Sequence, residues 1–412
     1  MKTTALELFA GVGGFRVGLN KVRLVNGKVE EKKRFDFVYA NQWEPGKKKQ
    51  DAFDCYQKLF GSSTEKLDNI DIAKVDKANL PNFNLLTAGF PCQDYSVVRK
   101  THSKTGIEGK KGVLWWQLKE LLSLKYPAFG ILENVNRLIL SPKNQRGRDF
   151  GIILRCLSDL GYSACWRILN AADYGYPQRR RIFIFIYRND MKYAKDISSY
   201  NPKDVLLKES IFAKAFPISG LLIELSMISL VDDFEDLVAV SDRFRAHFEN
   251  AGWMYDGKVY TAKVQAKMSP MGPLSKIVLP CTGSSFYLTD KQKGHFAYLR
   301  GKKTVERTAE NGLFYQYCEG SMSPYDSLDL PGRTMLTSEG SVNRSSHIIM
   351  DPLKHQLRFL TPVECERMNG FPDGWTDTGM SRTARYFMMG NALVCGIIER
   401  LGDQILKIMK AE

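Results

Sequence analysis

Short apolar runs alternate with longer amphipathic segments along the first 190 residues of the chain. Apolar runs bounded by Gly, Pro, Asn or Asp are typical of buried strands, and here they predict strands at 6–9, 35–40, 85–90, 129–133, 164–169 and 182–187. Between them leucines recur at helical spacing, at Leu114, Leu118, Leu121 and Leu122. This alternation predicts an α/β fold with a doubly wound, mostly parallel, Rossmann-like sheet.

The pattern changes after residue 190. Residues 204–250 look largely helical, and from Tyr255 the chain carries short strand-like pieces rich in Gly, Ser, Thr and Tyr. A clear helical stripe returns near the end, at Leu393, Ile397, Ile398, Leu401, Ile405 and Leu406. We expect that helix to pack on the first domain. The prediction is one domain formed by residues 1–190 with 385–412, and an inserted, smaller, mixed α+β domain at 191–384.

Charge narrows the choice of partner. The 412 residues include 59 Lys and Arg against 45 Asp and Glu, a net charge of +14, which favours a polyanionic partner. The eight cysteines form no C-x-x-C pair, so we expect reduced thiols rather than a disulfide framework or a zinc site. The sequence contains neither a signal-peptide pattern nor a membrane-spanning run, which predicts a cytoplasmic protein without a membrane partner.

A glycine-rich turn follows the first predicted strand, in the segment Phe9-Ala10-Gly11-Val12-Gly13-Gly14. Glycines at such a turn let backbone N–H groups approach a ligand at a helix N-terminus. Arg16 occupies the third glycine position of a G-x-G-x-x-G motif, which disfavours dinucleotide binding. The second strand leads into Gln42, Trp43 and Glu44, where nucleotide cofactors are held by their ribose hydroxyls; Trp43 is either an adenine platform or a core aromatic.

Two further strands end in reactive side chains. The strand at 85–90 leads into Pro91-Cys92-Gln93, and the strand at 129–133 leads into Glu133-Asn134-Val135. An isolated cysteine is more often a packed thiol, and an isolated glutamate is more often a solvated acid. Here both follow apolar strands that we expect to be neighbours, so the sequence predicts a thiol nucleophile beside a carboxyl group.

Six motifs in this order resemble those of the bacterial DNA (cytosine-5) methyltransferases. They are Phe9-Ala10-Gly11-Val12-Gly13-Gly14, Gly89-Phe90-Pro91-Cys92-Gln93, Glu133-Asn134-Val135, Pro177-Gln178-Arg179-Arg180-Arg181, Leu360-Thr361-Pro362 with Glu364, Arg367 and Gly370-Phe371-Pro372, and Gly390-Asn391-Ala392. The resemblance covers residues 1–190 and 355–412 and hardly touches the middle of the chain. It implies that 1–190 with 385–412 form the catalytic domain and that 191–384 form a target-recognition domain.

By this resemblance the cofactor is S-adenosylmethionine, the product is S-adenosylhomocysteine, and no metal takes part. The residues expected around the cofactor are Phe9, Gly11, Gly13, Gly14, Gln42, Trp43, Asp71, Ile72, Pro91 and Asn391. Gln42 stands where the family commonly has a ribose-binding glutamate, so either Gln42 or Glu44 takes the hydroxyls, and the register favours Gln42. The arginine motif is one residue shorter than usual, which leaves open whether Arg180 or Arg181 reaches the base.

The resemblance also implies a mechanism. A cytosine flipped out of duplex DNA would be attacked at carbon 6 by Cys92, a residue type that is partly thiolate at neutral pH, and carbon 5 would then take the methyl group. Glu133 would hydrogen-bond or protonate ring nitrogen 3, and Arg180 or Arg181 would hold the carbonyl oxygen.

Several residues are expected to contact DNA. Gln93 and Ser96 match positions near the flipped nucleotide, Arg99 begins a basic segment, and Arg333 with Thr334 match a recognition element of the inserted domain. Residues 99–111 hold five Lys or Arg against one Glu, which suits a clamp that closes over DNA, although an ordinary charged loop has the same composition. We expect a monomer whose functional partner is a cognate restriction endonuclease.

Four alternatives compete with this interpretation. A cytosine methyltransferase acting on tRNA keeps the chemistry, and a DNA-binding scaffold without activity keeps the fold. A zinc cytidine deaminase requires H-x-E and a second cysteine three residues after the first, where this chain has Tyr95. A nicotinamide-dependent oxidoreductase is disfavoured by Arg16.

Overall fold

The computed structural model describes residues 1–90, 113–280, 283–308 and 312–412, which divide into two compact units. The first unit comprises Met1–Tyr174, Arg180–Ser269 and Cys395–Glu412, and the second comprises Gly175–Arg179 and Pro270–Val394. Residues 191–269, which we expected in the inserted domain, therefore belong to the first unit, because strands in this segment extend its sheet. Which unit recognises the target stays a prediction.

The strands are β1 Thr4–Leu8, β2 Arg23–Val25, β3 Lys28–Glu30, β4 Asp36–Asn41, β5 Lys66–Asp68, β6 Leu85–Gly89, β7 Phe129–Val135, β8 Tyr162–Asn170, β9 Arg180–Arg188, β10 Ile218–Ser229, β11 Ala251–Tyr255, β12 Lys258–Ala266, β13 Lys303–Thr308, β14 Phe314–Glu319, β15 Ile348–Met350 and β16 Leu357–Phe359. The helices are α1 Gly14–Asn20, α2 Asp51–Phe60, α3 Val113–Lys125, α4 Arg148–Asp159, α5 Lys192–Ser198, α6 Pro202–Asp204, α7 Ile211–Ala215, α8 Leu237–Arg243, α9 Asp290–Arg300, α10 Pro362–Met368, α11 Arg382–Asn391 and α12 Cys395–Ala411.

One ten-stranded sheet runs through the first unit in the order β10-β12-β11-β8-β9-β7-β6-β1-β4-β5. The five strands from β5 to β7 are parallel to one another, and β9 and the strands beyond it continue the sheet with antiparallel pairings. The predicted α/β fold class of the S-adenosylmethionine-dependent methyltransferase type is confirmed. All six predicted strands are present, with ends within two residues of those expected.

The largely helical character expected for residues 204–250 is wrong in its centre. Residues Ile218–Ser229 form β10, which pairs with β12 along its length at one end of the sheet. Several of its apolar side chains are exposed, including Leu222, Ile223 and Met227. The strand therefore exists because β12 offers backbone partners, and local periodicity gives way to that pairing.

The closing helix α12 packs against α1 within the first unit, as expected from its apolar stripe. A Cβ atom on Gly18 of α1 would lie 2.6 Å from the carbonyl oxygen of Cys395, so the two helices approach closer than any side chain would allow. An ion pair of 2.9 Å between Lys21 Nζ and Glu399 Oε1 flanks the contact. Helix α12 thus completes the layer on one face of the sheet.

The second unit combines apolar clusters with buried charged side chains. One of its apolar clusters consists of Leu288, Phe296, Ile348 and Phe359, with Val342 and Leu357 packed against it. Beside that cluster lies a group of fully buried charged side chains, namely Asp351, Arg358, Glu364 and Glu366. Buried ion pairs and hydrogen bonds therefore act together with apolar packing in this unit.

Arg358 is the centre of this buried group. Its guanidinium donates to Asp351 Oδ2 at 2.8 Å and to both carboxylate oxygens of Glu364 at 2.7 and 2.9 Å. Glu364 also accepts from the backbone of Thr361, forming the capping box that begins α10. The Leu360-Thr361-Pro362 motif and Glu364 therefore serve to fix a helix start inside a buried ion-pair network.

Candidate active site

The glycine-rich turn joins β1 to α1 and requires its glycines. Gly11 and Gly13 have φ values of +56° and +88°, in the region that side chains disfavour. A Cβ atom on Gly13 would lie 2.7 Å from the ring of Phe60, whereas one on Gly11 would meet nothing within 4 Å. Phe9 also has a positive φ, of 55°. The turn thus has open space beside Gly11, where a ligand can approach the backbone.

Gln42 closes one side of this turn. Its side-chain oxygen accepts a hydrogen bond of 2.7 Å from the backbone N–H of Gly11, and the residue is only 8% exposed. Glu44, the alternative ribose ligand, lies further along, and burial raises the pKa of its carboxyl group. The contact ties Gln42 to the glycine turn, and the role of Gln42 toward a ribose stays a prediction.

Trp43 and Asp71 lie at the carboxyl ends of neighbouring strands. Trp43 is 36% exposed, so it is not the core aromatic that its alternative interpretation required. Asp71 caps a short helical turn, Ile72–Lys74, by accepting the backbone N–H of Ala73 at 3.0 Å, and Ile72 is buried. Because β1, β4 and β5 are parallel, the glycine turn, Trp43 and the segment after β5 share one edge of the sheet.

A buried acid lies on β1, two residues before the glycine turn. Glu7 is fully buried, and the hydroxyl of Tyr56 on α2 donates to its Oε2 at 2.9 Å. Burial raises the pKa of Glu7 to about 8, although the hydrogen bond from Tyr56 and the charge of Arg16 act in the other direction. Our sequence reasoning missed this residue; the signal was an acid in the middle of an apolar strand.

Strands β6 and β7, which carry the segments with the predicted catalytic residues, are direct neighbours. In their parallel register Gly89 faces Glu133, and a Cβ atom on Gly89 would lie 3.5 Å from Glu133 Oε2. Cys92 follows Gly89 by three residues, but Pro91, Cys92, Gln93, Ser96 and Arg99 lie outside the described residues, as do the remaining positions of the 99–111 segment. The pairing brings Glu133 to the strand end from which the Cys92 segment leaves.

Asn134 fixes that exit point. Its side-chain amide donates to the carbonyl oxygen of Phe90 at 2.9 Å, and its side-chain oxygen accepts from the backbone of Val135 at 2.7 Å. The side chain is buried, so both bonds are shielded from water. The middle residue of the Glu-Asn-Val motif therefore ties the end of β6 to β7, a positioning role that our sequence reasoning did not assign.

Arg180 and Arg181 differ in their contacts with other side chains of the protein. Arg181 Nε lies 3.0 Å from Glu133 Oε1, across the antiparallel pair of β7 and β9. Arg180 is exposed on the opposite side of β9. The structure therefore brings Arg181, and not Arg180, together with Glu133; which arginine contacts a base stays a prediction.

Arg179, the first arginine of the motif, has a separate task in the second unit. It is buried, and its guanidinium donates to the carbonyl oxygens of Gly390 at 3.0 Å and Met335 at 3.4 Å. It thereby ties the Gly175–Arg179 segment to the rest of that unit. Sequence reasoning grouped the three arginines, whereas the structure gives each a different environment.

The remaining predicted residues belong to the second unit. Arg333 forms an ion pair with Asp326, with 2.6 Å between Nε and Oδ1, and it also donates to the carbonyl oxygen of Ser346. Thr334 is half-buried, and Asn391 is exposed as the last residue of α11. The contacts of Arg333 hold a loop, and a role in DNA binding for Arg333 and Thr334 stays a prediction.

No group of three or more His, Cys, Asp or Glu side chains within the described ranges is placed to hold a metal ion. Across the same ranges, none of the helices combines the length and the apolar character that a membrane crossing requires.

The parallel strands, the glycine turn after β1 and the polar residues at the carboxyl ends of β4 and β7 are those of the fold of S-adenosylmethionine-dependent methyltransferases. The model of the C-5 cytosine-specific DNA methylase family matches residues 3–407, and the chain belongs to that family. It is therefore an enzyme that methylates cytosine in DNA at carbon 5.

Curated relatives agree with the family match. The chain is 45% identical to the Type II methyltransferase M.Sau3AI of Staphylococcus aureus over 410 residues, covering 99% of this chain and 96% of that protein. It is 32% identical to the Type II methyltransferase M.HhaI of Haemophilus parahaemolyticus over 187 residues, covering 45% of this chain and 49% of that protein.

Solved structures share the fold at low identity. Dnmt2 methyltransferase of S. pombe aligns with a TM-score of 0.58 at 13% identity, and a DNMT2 mutant of Spodoptera frugiperda aligns at 0.57 and 14%. Each alignment covers 99% of both chains. These similarities bear on the fold alone.

Proposed function

We propose that the protein is a sequence-specific methyltransferase of duplex DNA, that it flips its target cytosine out of the helix, and that Cys92 is its nucleophile. The observation that carries this proposal is the junction of β6 and β7. There Gly89 faces Glu133, Arg181 holds Glu133 Oε1, and Asn134 holds Phe90 two residues before Cys92. A carboxylate and a guanidinium are thus fixed at the start of the Cys92 segment.

The chemistry then follows from the residue types. The Cys92 thiolate forms a bond to carbon 6 of the everted cytosine, and the electron pair displaced toward the ring leaves carbon 5 nucleophilic. Glu133 hydrogen-bonds or protonates ring nitrogen 3, while Arg181 positions that carboxyl group. After methylation a base removes the proton from carbon 5, the bond to sulfur breaks, and the thiolate is restored.

The glycine turn fits S-adenosylmethionine, which supplies the methyl group as a sulfonium and leaves as S-adenosylhomocysteine. Open space beside Gly11 allows close approach, and the exposed ring of Trp43 offers a flat surface for adenine. Because Gln42 Oε1 accepts from Gly11, its amide group keeps N–H donors for a ribose oxygen. Phe9, Gly13, Gly14, Asp71, Ile72, Pro91 and Asn391 complete the proposed cofactor site.

The biological setting is part of the same proposal. Curated relatives are named Type II methyltransferases, which supports a role beside a restriction endonuclease that cleaves the same sequence. No physical contact with that nuclease is required, because methylated DNA itself links the two activities. We further propose that the enzyme acts in the cytoplasm on the nucleoid, as a monomer and without a metal.

The test is trapping of the covalent intermediate. Duplex DNA containing 5-fluorocytosine should form a stable adduct with the enzyme, because fluorine cannot leave carbon 5 as a cation. Cys92→Ala should abolish both the adduct and methyl transfer while DNA binding remains, measured by denaturing electrophoresis and tritiated-methyl incorporation. Matched tRNA serves as the competing substrate and should stay unmethylated.

A second cysteine provides the control. Cys156 is buried in α4, and burial raises the pKa of its thiol to about 11, so it is a poor nucleophile. Cys156→Ala should therefore keep the adduct. Near-normal turnover by Cys92→Ala, or an adduct that survives that substitution, would contradict the assignment.

A further inference from the structure

A two-stranded ribbon, here called the β13–β14 ribbon, stands out in the second unit. Strands Lys303–Thr308 and Phe314–Glu319 pair only with each other, in a sheet of two strands within the described residues. Every residue of both strands is exposed except Lys303 and Glu319 at its base, which are half-buried. An isolated hairpin with both faces in water is marginally stable, so this exposure calls for a partner.

The base of the ribbon is anchored. Lys303 and Glu319 form an ion pair of 3.2 Å, and Arg344 contacts Glu319 at 3.4 Å while donating to the carbonyl oxygen of Leu299 at 2.6 Å. The buried Arg300 at the end of α9 is in turn paired with Asp326 at 3.0 Å. The ribbon is therefore an arm with a fixed root.

The register separates the two faces of the arm. Val305 is opposite Tyr317 and Arg307 is opposite Tyr315, so one face is aromatic, and the Arg307 guanidinium lies 3.9 Å from the centre of the Tyr317 ring. The other face pairs Thr304 with Cys318, Glu306 with Gln316 and Thr308 with Phe314. This second face is called the polar face below.

The polar face carries the side chains that read base edges. In the major groove Gln pairs with adenine, Glu accepts from the amino group of cytosine, and Thr or an aromatic ring contacts the thymine methyl group. Within the described part of the chain, the side chains of Glu306 and Gln316 make no hydrogen bond that would occupy them. A two-stranded ribbon also fits the width of the major groove, about 12 Å.

Charge around the arm favours a polyanion. Residues 291–308, which include most of α9 and all of β13, contain six Lys or Arg and a single Glu. Lys302, which directly precedes β13, is exposed, and so is Lys291 at the start of α9; neither forms an ion pair with another described residue. Basic residues flanking a polar reading face match the phosphate backbone on either side of a groove.

We propose that the β13–β14 ribbon enters the major groove of the substrate and that its polar face, through Gln316 and Glu306, reads base pairs of the recognition sequence. Lys302 contacts phosphate and contributes affinity without sequence preference. Since duplex DNA is itself our proposed substrate, the arm has this role only if that proposal holds. A second protein copy docking on the aromatic face is the competing occupant.

The test begins with the wild-type enzyme. Mapping methylated cytosines in DNA from cells that express it gives the recognition sequence, and kcat/KM is then measured on that duplex and on each single-base-pair variant. Gln316→Ala and Glu306→Ala should each reduce discrimination at one position by about 10-fold to 100-fold, with other positions unchanged. Lys302→Ala should weaken binding equally on all duplexes and lower the slope of log Kd against log salt by about one.

The control is Gln265→Ala, another exposed strand glutamine, on β12 of the first unit, which should leave discrimination unchanged. Unchanged discrimination in both Gln316→Ala and Glu306→Ala, with a wild-type enzyme that does discriminate, would overturn the ribbon proposal. So would a wild-type dimer in analytical ultracentrifugation that Tyr315→Ser, a substitution on the aromatic face, converts to a monomer. A wild-type enzyme that methylates no duplex would instead refute the proposed function, so the two failures are distinct.

Discussion

The two units bury charge in different ways. In the first unit, Glu7 is fully buried among apolar side chains of β1, and burial raises its pKa to about 8, which favours the neutral form. In the second unit, Asp351, Arg358 and Glu364 are equally buried but are paired with one another. The buried carboxyl group of Glu7 is thus accommodated by keeping its proton, whereas the second group is accommodated by the ion pairs that join its members.

The largest effect is expected from breaking the buried network of the second unit. Arg358→Ala leaves Asp351 and Glu364 buried without their common partner, which should cost about 3–5 kcal/mol. We would read the denaturant midpoint of each unit from pulse labelling of one buried thiol, Cys165 in the first and Cys365 in the second. Only the Cys365 midpoint should fall. An equal fall at Cys165 would show that the units do not unfold independently.

A rise in pH should lower the free energy of unfolding of the first unit through ionisation of Glu7. The folded carboxyl has a pKa of about 8 against 4.5 for an ordinary glutamate, so between these values folding takes up a proton. Stability therefore falls as pH rises through this window, by about 2–3 kcal/mol between about pH 6 and pH 8. The Cys165 midpoint followed across this range measures the loss. Glu7→Gln, which is neutral at every pH, should flatten the dependence; an unchanged slope in that variant would assign the loss to another group.

Acid should weaken the second unit through Asp326. Burial alone would raise the pKa of Asp326, but the hydrogen bond from Arg333, the charge of His347 and the backbone N–H of Ile348 lower it to about 2. The unfolded carboxyl binds its proton first, so this stabilisation, about 2 kcal/mol, is present above about pH 4 and is lost as pH falls toward about 2. Pulse proteolysis with pepsin, mapped by mass spectrometry, reports each unit in acid. Glu7→Gln should leave this acid transition unchanged.

The smallest effect is expected from a substitution in the apolar core of the first unit. Ile184 is fully buried in β9, and Ile184→Val removes one methylene group with little room for rearrangement. We expect a loss of about 1 kcal/mol at the Cys165 midpoint and none at the Cys365 midpoint. A loss at Cys365 of similar size would argue against separate cores.

The same contrast explains what the sequence revealed in advance. The strands of the first unit could be predicted because buried strands such as β6 and β7 are continuous apolar runs. The register of these two strands then places Gly89 opposite Glu133. Strand β10 was missed because its existence depends on pairing with β12, which no local pattern encodes. The extent of the first unit was not predicted for the same reason, since residues 191–269 join this unit through the sheet.

The structure of the second unit was harder to predict because polar contacts between residues far apart in the sequence help to hold it. Arg358 donates to the carbonyl oxygen of Leu279, 79 positions earlier in the chain, and no local pattern in either segment predicts this contact. The candidate site shows a similar limit. Motif order predicted that Glu133 and an arginine act together, but only the side-chain geometry distinguishes Arg181 from Arg180 and gives Asn134 its contact with Phe90.

The position of α12 has a consequence for biosynthesis. A ribosome synthesises every residue of the second unit before it synthesises α12, the helix that packs on α1. Until then Gly18 and Leu19 of α1 lack their contacts with Cys395 and Gly402. The apolar face of α1 therefore stays uncovered during most of translation, a state that invites chaperone capture. A chain that stops before Cys395 would therefore lack the helix against which Gly18 and Leu19 pack.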